Sequence, residues 1–137
     1  MSHDPVIYIV GQQRDILEQM KEQLAQAGYS KDKIHGIPNN RTLLHSNDNF
    51  RNAFGMPDLL IMATEPEERA YNGPDTCAFI RRHDWCVRNM PIVGIGQESD
   101  KYRWEQAGVS AFIEQGSLGK IPDYLVARVD EAFEELR

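Results

Sequence analysis

Four short polar segments directly follow apolar runs, and these segments are where chemistry is expected. They are residues 11–13 (GQQ), 63–65 (ATE), 96–98 (GQE) and 114–116 (EQG). A phosphate group would need free backbone amides or a cation there, and a Mg²⁺ ion would need clustered carboxylates. The first segment, Gly11 to Gln13, supplies neither a carboxylate nor a second glycine.

Nucleotide and acyl-transfer motifs do not match these segments. A dinucleotide site needs G-x-G-x-x-G after the first strand, and no second glycine follows Gly11 before Ile16. The segment GSLGK (116–120) lacks the spacing of a Walker loop and is interpreted as the turn before the last helix. No nucleophile elbow of the G-x-S-x-G type is visible, although a triad assembled by the fold stays open. We therefore assign no catalytic residue.

Two groups of candidate metal ligands are better explained in other ways. An acidic group follows the third apolar run and is interpreted as a solvated loop; it consists of Glu65, Glu67 and Glu68. A zinc set would have to combine Cys77, His83 and Cys86. These residues lack the paired C-x-x-C spacing of a strong site and are interpreted as packing and surface residues. We predict no metal and no cofactor.

Composition limits the classes of partner. With 21 acidic and 15 basic residues the net charge is −6, the opposite of what a phosphate backbone attracts. No apolar run approaches the roughly 20 residues of a membrane span, and the N-terminus lacks a signal peptide. The two cysteines are expected to be reduced. We expect a cytoplasmic protein that binds neither nucleic acid nor membranes, with residues 1–137 forming a single domain.

The elements that would position the polar segments alternate between strands and helices. Strands are predicted at 6–10, 34–37, 59–63, 90–96 and 110–116, and helices at 14–28, 39–54, 75–87, 99–108 and from 122 onward. Such alternation predicts parallel βαβ units with right-handed crossovers. The fold class is therefore α/β, a doubly wound five-stranded parallel sheet of flavodoxin-like order in three layers. All four polar segments would then lie at the carboxyl edge of the sheet.

Several segments in this order resemble the receiver domain of bacterial two-component response regulators. The resemblance covers about residues 5–136 and is strongest in five segments, IYIVGQQ, PDLLIMATEP, NGPDTCAFIRR, MPIVGIGQ and AGVSAFIEQG. It implies the CheY-like fold and a role in signal transduction.

The positions that carry receiver chemistry can be transferred one at a time. The acidic pair that holds Mg²⁺ falls on Gly11 and Gln12, and the phospho-accepting aspartate falls on Ala63. The hydroxyl residue at the end of the fourth strand falls on Gly96, and the lysine that neutralises the phosphate falls on Gln115. Each of these groups is therefore missing. The resemblance thus implies a degenerate phosphorylation pocket, since phosphoryl transfer needs a carboxylate, a cation and groups that bind the phosphate oxygens.

Two further positions of the receiver family can be transferred to this sequence. The proline after the family's lysine is replaced by Gly116, whereas the switch aromatic is retained as Phe112. The turn at the end of the first strand is expected either to hold nothing or to form a hydrogen-bond network of Gln12, Gln13 and Gln115.

The predicted function is a phosphorylation-independent pseudo-receiver that acts through protein binding. Its partner would be a signalling kinase, an output protein or a second copy of the chain. In the family, the fourth helix, fifth strand and fifth helix often form the partner face, which here includes Tyr102, Trp104 and Phe112. Tyr102 and Trp104 are interpreted either as interface anchors or as half-buried core. The alternative is a small-molecule sensor that uses the vacated pocket, because small residues leave room for a ligand.

Overall fold

The computed structural model describes residues 4–63, 72–82, 90–114 and 124–134. Five parallel strands form one sheet in the order β2-β1-β3-β4-β5. Their bounds are β1 Ile7–Val10, β2 Ile34–Ile37, β3 Leu59–Ala63, β4 Ile92–Gly96 and β5 Ala111–Glu114. This is the flavodoxin-like strand order, so the predicted fold class is confirmed.

Helices cover both faces of the sheet and give the predicted three layers. The described α-helices are α1 Arg14–Gln26, α2 Asn40–His45, α3 Asn47–Phe54, α4 Gly73–Arg82, α5 Lys101–Ala107 and α6 Leu125–Glu134. One apolar cluster joins the sheet to α1 and α6. A second cluster joins the opposite face to the helices α2, α3, α4 and α5.

The two central strands explain why the sequence shows continuous apolar runs. Every residue of β1 and of β3 is buried, as expected for parallel strands that are covered on both faces. Their side chains alternate between the layers: Ile7 and Ile9 belong to the cluster with α1 and α6, whereas Tyr8 and Val10 belong to the other. The strands are therefore fixed by burial, and their carboxyl ends are fixed with them.

The segment 39–54 forms two helices where one was predicted. The Asn39 side chain accepts a hydrogen bond from the Thr42 backbone N–H at 2.8 Å and caps α2. Ser46 then leaves the helical region, with φ −125° and ψ 25°, and separates α2 from α3. Gly55, with a φ of +90°, ends α3. The prediction of a single helix was wrong because the backbone turn at Ser46 has no apolar signature.

The boundaries of two other helices differ in smaller ways from the prediction. Helix α4 begins at Gly73, where the Asn72 side chain accepts a hydrogen bond from the Asp75 N–H at 2.9 Å. Residues 83–87 of that predicted helix lie outside the described ranges. Helix α6 is described from Leu125, so its predicted start at Pro122 also lies outside them.

Candidate functional site

The carboxyl ends of the central strands meet at one edge, which we call the carboxyl edge. The strand register sets the end of β1 beside the end of β3, and the end of β3 beside the end of β4. The fold therefore brings Gly11, Ala63 and Gly96 to this edge. Gln12 follows Gly11 and is partly exposed, whereas Gln115 lies outside the described ranges.

Neutral groups line the described part of the carboxyl edge. Gly11 has a φ of +81°, which favours glycine, and its N–H donates to the Ile37 carbonyl at 3.0 Å. Ala63 is only 6% exposed and presents a methyl group. Within the described ranges, no three His, Cys, Asp or Glu side chains come together as a metal site.

Asn40 is a residue of this edge that sequence reasoning missed. Its side chain is 1% exposed, and its Nδ2 donates to the Ala63 carbonyl at 3.3 Å. This bond connects the first residue of α2 to the last residue of β3. A signal was available, because Asn40 closely follows β2 and so belongs to the same edge. Its amide adds a further neutral group to the described part of this edge.

Trp104 is part of the core, so its prediction as a partner-face residue is corrected. Its side chain is fully buried and lies against β4. A Cβ placed on Gly94 would be 2.5 Å from Trp104 Cε3 and 2.6 Å from Cδ2. The indole therefore packs directly on the backbone of β4, which glycine alone permits. Trp104 can adopt the core position because Gly94 and Gly96 leave the carboxyl half of this face of β4 without side chains.

Trp104 also reaches the carboxyl edge. A Cβ on Gly96 would lie 3.1 Å from Trp104 Nε1 and 3.7 Å from Phe112 Cε1. The two aromatic rings thus border the position of Gly96, where the resemblance to receivers puts a hydroxyl side chain. Trp104 Nε1 is buried and has no hydrogen-bond partner among the described residues. Much of the space expected from the small residue at 96 is therefore already filled by the protein itself.

A groove runs along the outer side of β5 between α5 and α6, and we call it the β5 groove. Its volume is about 370 Å³, and its lining consists of Glu98, Lys101, Phe112, Ile113, Glu114, Tyr124 and Arg128. Apolar groups from β5 lie beside two carboxylates and two cations. Such a mixture of an aromatic floor and balanced charge suits a protein surface better than it suits a nucleic-acid phosphate backbone.

Tyr124 and Arg128 form a wall of the β5 groove that the sequence did not indicate. The Tyr124 ring is 73% exposed, and the Arg128 guanidinium lies 5.8 Å from its centroid. Tyr124 has a φ of +61°, an uncommon conformation for a residue other than glycine. Arg128 also pairs with Glu131 at 2.7 Å. Its charge is thus held near the ring at the surface.

Tyr102 lies on the other side of α5, in a second groove between α4 and α5. This groove has a volume of about 310 Å³ and is lined by Pro74, Asp75, Ala78, Tyr102, Arg103, Gln106 and Ala107. The Tyr102 side chain is 71% exposed. Helix α5 therefore separates an exposed tyrosine from the partly buried ring of Phe112. A partner that crossed α5 would contact both predicted face residues.

The described cysteine is a packing residue. Cys77 is fully buried, and its Sγ lies 3.5 Å from the Ala107 carbonyl. Burial raises the pKa of its thiol to about 11, although the nearby Arg81 charge acts in the opposite direction. A thiol of this kind stays protonated and poorly reactive at neutral pH. The other members of the proposed zinc set, His83 and Cys86, lie outside the described ranges.

Several other predicted positions also lie outside the described residues. They are the acidic loop residues Glu65, Glu67 and Glu68, and the segment GSLGK at 116–120 with Gly116. Among the helices that the structure describes, none has the length and apolar character needed to cross a bilayer.

Solved structures of receiver domains resemble this chain over nearly its whole length. A candidate response regulator from Chloroflexus aurantiacus J-10-fl is 19% identical, with a TM-score of 0.73 over 96% of this chain and 99% of that chain. The chemotaxis response regulator CheY4 of Vibrio cholerae is 15% identical, with a TM-score of 0.71 over 95% and 99%. The receiver domain of NtrX from Brucella abortus is 18% identical, with a TM-score of 0.66 over 93% and 98%.

These similarities define the fold, which is the CheY-like fold of receiver domains. No protein-family model matches the chain. No curated protein matches it either. A shared fold can host different functions, so the function has to be argued from the residues at the carboxyl edge and on the surface of α5, β5 and α6. That surface corresponds to the predicted fourth helix, fifth strand and fifth helix, and we call it the α5–β5–α6 side.

Proposed function

We propose that this chain is a pseudo-receiver, which works in two-component-type signal transduction through protein binding and without phosphorylation. The observation that carries this proposal is Ala63 at the last position of β3, where the resemblance to receivers puts the phospho-accepting aspartate. A methyl group cannot accept a phosphoryl group. The neutral surroundings of Ala63 support the same conclusion, since Gly11, Gln12 and Gly96 bring no charge to bind Mg²⁺ or phosphate oxygens.

The α5–β5–α6 side is the surface proposed for partner binding. It combines the exposed ring of Tyr102 with the β5 groove, in which Phe112 lies beside the charges of Lys101 and Glu114. Exposed tyrosines next to charged side chains are frequent anchors of protein interfaces. The proposed partner is a cytoplasmic protein, either a signalling kinase, an output protein or a second copy of this chain. No enzymatic activity is assigned to the chain.

A small-molecule sensor has less support than a protein-binding module. That alternative needs an open pocket at the carboxyl edge. The Trp104 indole occupies the space beside Gly94 and Gly96, and Ala63 is almost fully buried. The described residues therefore offer a ligand less room than the small side chains alone suggested.

Phosphoryl transfer can be tested directly with acetyl phosphate and Mg²⁺, followed by intact mass measurement. We expect no adduct on the natural chain. A hydroxylamine-sensitive phosphoryl adduct would overturn the proposal, because that lability identifies an acyl phosphate. The Ala63→Asp variant is the matched control, and it shows whether a carboxylate alone restores transfer. We expect it to stay unmodified too, since the other groups that bind Mg²⁺ and phosphate are missing.

Partner binding is tested by placing a photo-crosslinking amino acid at Tyr102 or at Lys101 in the cells from which the chain comes. We expect crosslinks from both sites to the same protein. The matched control is Met56, which is 46% exposed and lies just before β3, at the opposite end of the strand from the carboxyl edge. Equal crosslinking from Met56 would contradict a specific face. Sedimentation over a range of concentrations separates a second copy of the chain from a different partner.

A further inference from the structure

The strip of β4 under α5 has an unusual construction. Gly94 and Gly96 alternate on one face of the strand, and the Trp104 indole covers both. At Gly94 the contact is so close that a Cβ would be 2.5 Å from the ring. An indole is rigid, with only two side-chain torsions, and its neighbours in a packed core restrict both. The position of Trp104 is therefore fixed by the backbone of β4.

Phe112 is the next aromatic residue on the same face of the sheet. It pairs with Gly94 across β4 and β5, so its side chain starts beside the strip that Trp104 covers. Its Cε1 lies 3.7 Å from the place of a Cβ on Gly96, which itself lies 3.1 Å from Trp104 Nε1. Both rings therefore border the same position above Gly96. The same Phe112 ring also lines the β5 groove.

We infer that Trp104 acts as a fixed wedge that holds Phe112 at the wall of the β5 groove. The indole fills the space above β4 into which the Phe112 ring would otherwise turn. Phe112 then has one arrangement, and the groove exists before any partner arrives. A preformed surface of this kind avoids the ordering cost that a mobile aromatic side chain adds to binding.

The buried indole N–H supports this interpretation over an ordinary core packing role. Among the described residues Trp104 Nε1 has no hydrogen-bond partner, although a buried tryptophan usually finds one. The ring is thus positioned by packing, above all on the backbone of β4. Removing the ring should free Phe112, because Trp104 and Phe112 supply the three atoms nearest to a Cβ on Gly96.

The test is NMR relaxation dispersion on the Phe112 ring of the free protein, with isotope-labelled phenylalanine. We expect one Phe112 signal without exchange broadening in the natural chain. In Trp104→Phe, whose shorter ring leaves room beside Gly96, we expect exchange broadening or a second signal. The matched control is Leu24→Ala, which removes fully buried apolar volume from the other core cluster, on the α1 and α6 face. It should leave the Phe112 signal single.

Three results would overturn the wedge: exchange at Phe112 in the natural chain, no exchange in Trp104→Phe, or equal exchange in Trp104→Phe and Leu24→Ala. If Trp104→Phe does not fold, Gly96→Ala gives a second test. Its added methyl group would press on the Trp104 indole at 3.1 Å and would lie in ordinary van der Waals contact with the Phe112 ring at 3.7 Å, so the Phe112 signal should shift and stay single. An unchanged Phe112 signal in Gly96→Ala would contradict the inference that Phe112 and Trp104 share the space above Gly96. These measurements use the chain alone, so their failure would leave the proposed partner binding standing.

Discussion

The carboxyl edge and the α5–β5–α6 side differ sharply in what they offer to another molecule. At the described edge, Gly11, Ala63 and Gly96 present backbone and methyl groups. On the α5–β5–α6 side, Tyr102 and Tyr124 are more than two-thirds exposed and lie among charged residues. Under the proposed function, the edge contributes to stability and the surface binds the partner. Substitutions at the edge should change the free energy of unfolding, whereas substitutions on the surface should change affinity.

The largest expected effect is that of Trp104→Ala on stability. Removing a fully buried indole should lower the free energy of unfolding by about 3–5 kcal/mol, since apolar contacts are lost and a cavity remains. Chemical denaturation measures this change. A loss below about 1 kcal/mol, the range of ordinary surface substitutions, would mean that Trp104 is not the core residue described here.

Gly94→Ala should be the next largest effect, and it tests the close packing on β4. The new methyl group meets the rigid indole at 2.5 Å, so we expect a loss of about 1–3 kcal/mol by overpacking. The matched control is Gly36→Ala, whose methyl group would meet Leu17 Cδ2 at 2.3 Å. That atom ends a flexible side chain and can move, so the control should cost less. An equal cost at both glycines would contradict a rigid contact at Gly94.

Tyr102→Ala should separate binding from stability. Once a partner is identified, the loss of an exposed aromatic anchor should weaken its affinity about tenfold or more, which corresponds to about 1.4 kcal/mol. The free energy of unfolding should change by less than about 0.5 kcal/mol, because the ring is largely exposed. Titration calorimetry and denaturation measure the two quantities. Met56→Ala, which removes another exposed apolar side chain, should change neither strongly.

A smaller effect is expected for the pH dependence of stability, and it involves His35, which lies away from both regions. Burial lowers the pKa of His35 from its usual 6.5, and the charges of Lys21 and Lys33 act in the same direction. The unfolded chain therefore binds a proton more readily at this site than the folded chain does. The contribution of His35 to the free energy of unfolding should be fully present above about pH 6.5. It should be lost as the pH drops from there toward the lowered pKa of the folded state. Denaturation between pH 5 and 8 measures this dependence.

The His35→Gln variant sharpens the pH measurement. Glutamine keeps the size and polarity of the side chain but does not bind a proton, so the pH dependence that His35 causes should disappear in the variant. A dependence that survives unchanged would contradict its assignment to His35.

The fold could be predicted from the sequence because burial on both faces leaves a plain record in parallel strands. The run LLIMA at 59–63 is one such strand, and its end fixes the position of Ala63. The division at Ser46 could not be predicted, since a turn inside a polar helical segment changes no apolar periodicity. Asn40 was missed for a related reason, because its role depends on a bond to a strand that is distant in sequence.

The prediction of the candidate site was incomplete for the same reason, because the roles of its residues depend on tertiary contacts. The segment GIG in β4 indicates that a large side chain can pack on this strand, since Gly94 and Gly96 carry no side chains on the same face. The packing of α5 on the sheet decides which residue covers that face, and this packing cannot be predicted from the amino-acid composition. Tyr124 was missed as a groove residue because neither its exposure nor its positive φ has a signature in the sequence. Residues that act through their neighbours are the ones that sequence patterns place least well.

The most direct test of the central claim is a thermal melt with and without Mg²⁺ and beryllofluoride, which mimics an acyl phosphate. A ligand that prefers the native state raises the melting temperature by linkage. The pseudo-receiver account predicts no shift for this chain. A clear shift that depends on Mg²⁺ would contradict it, because carboxylates would then have to surround Ala63 after all.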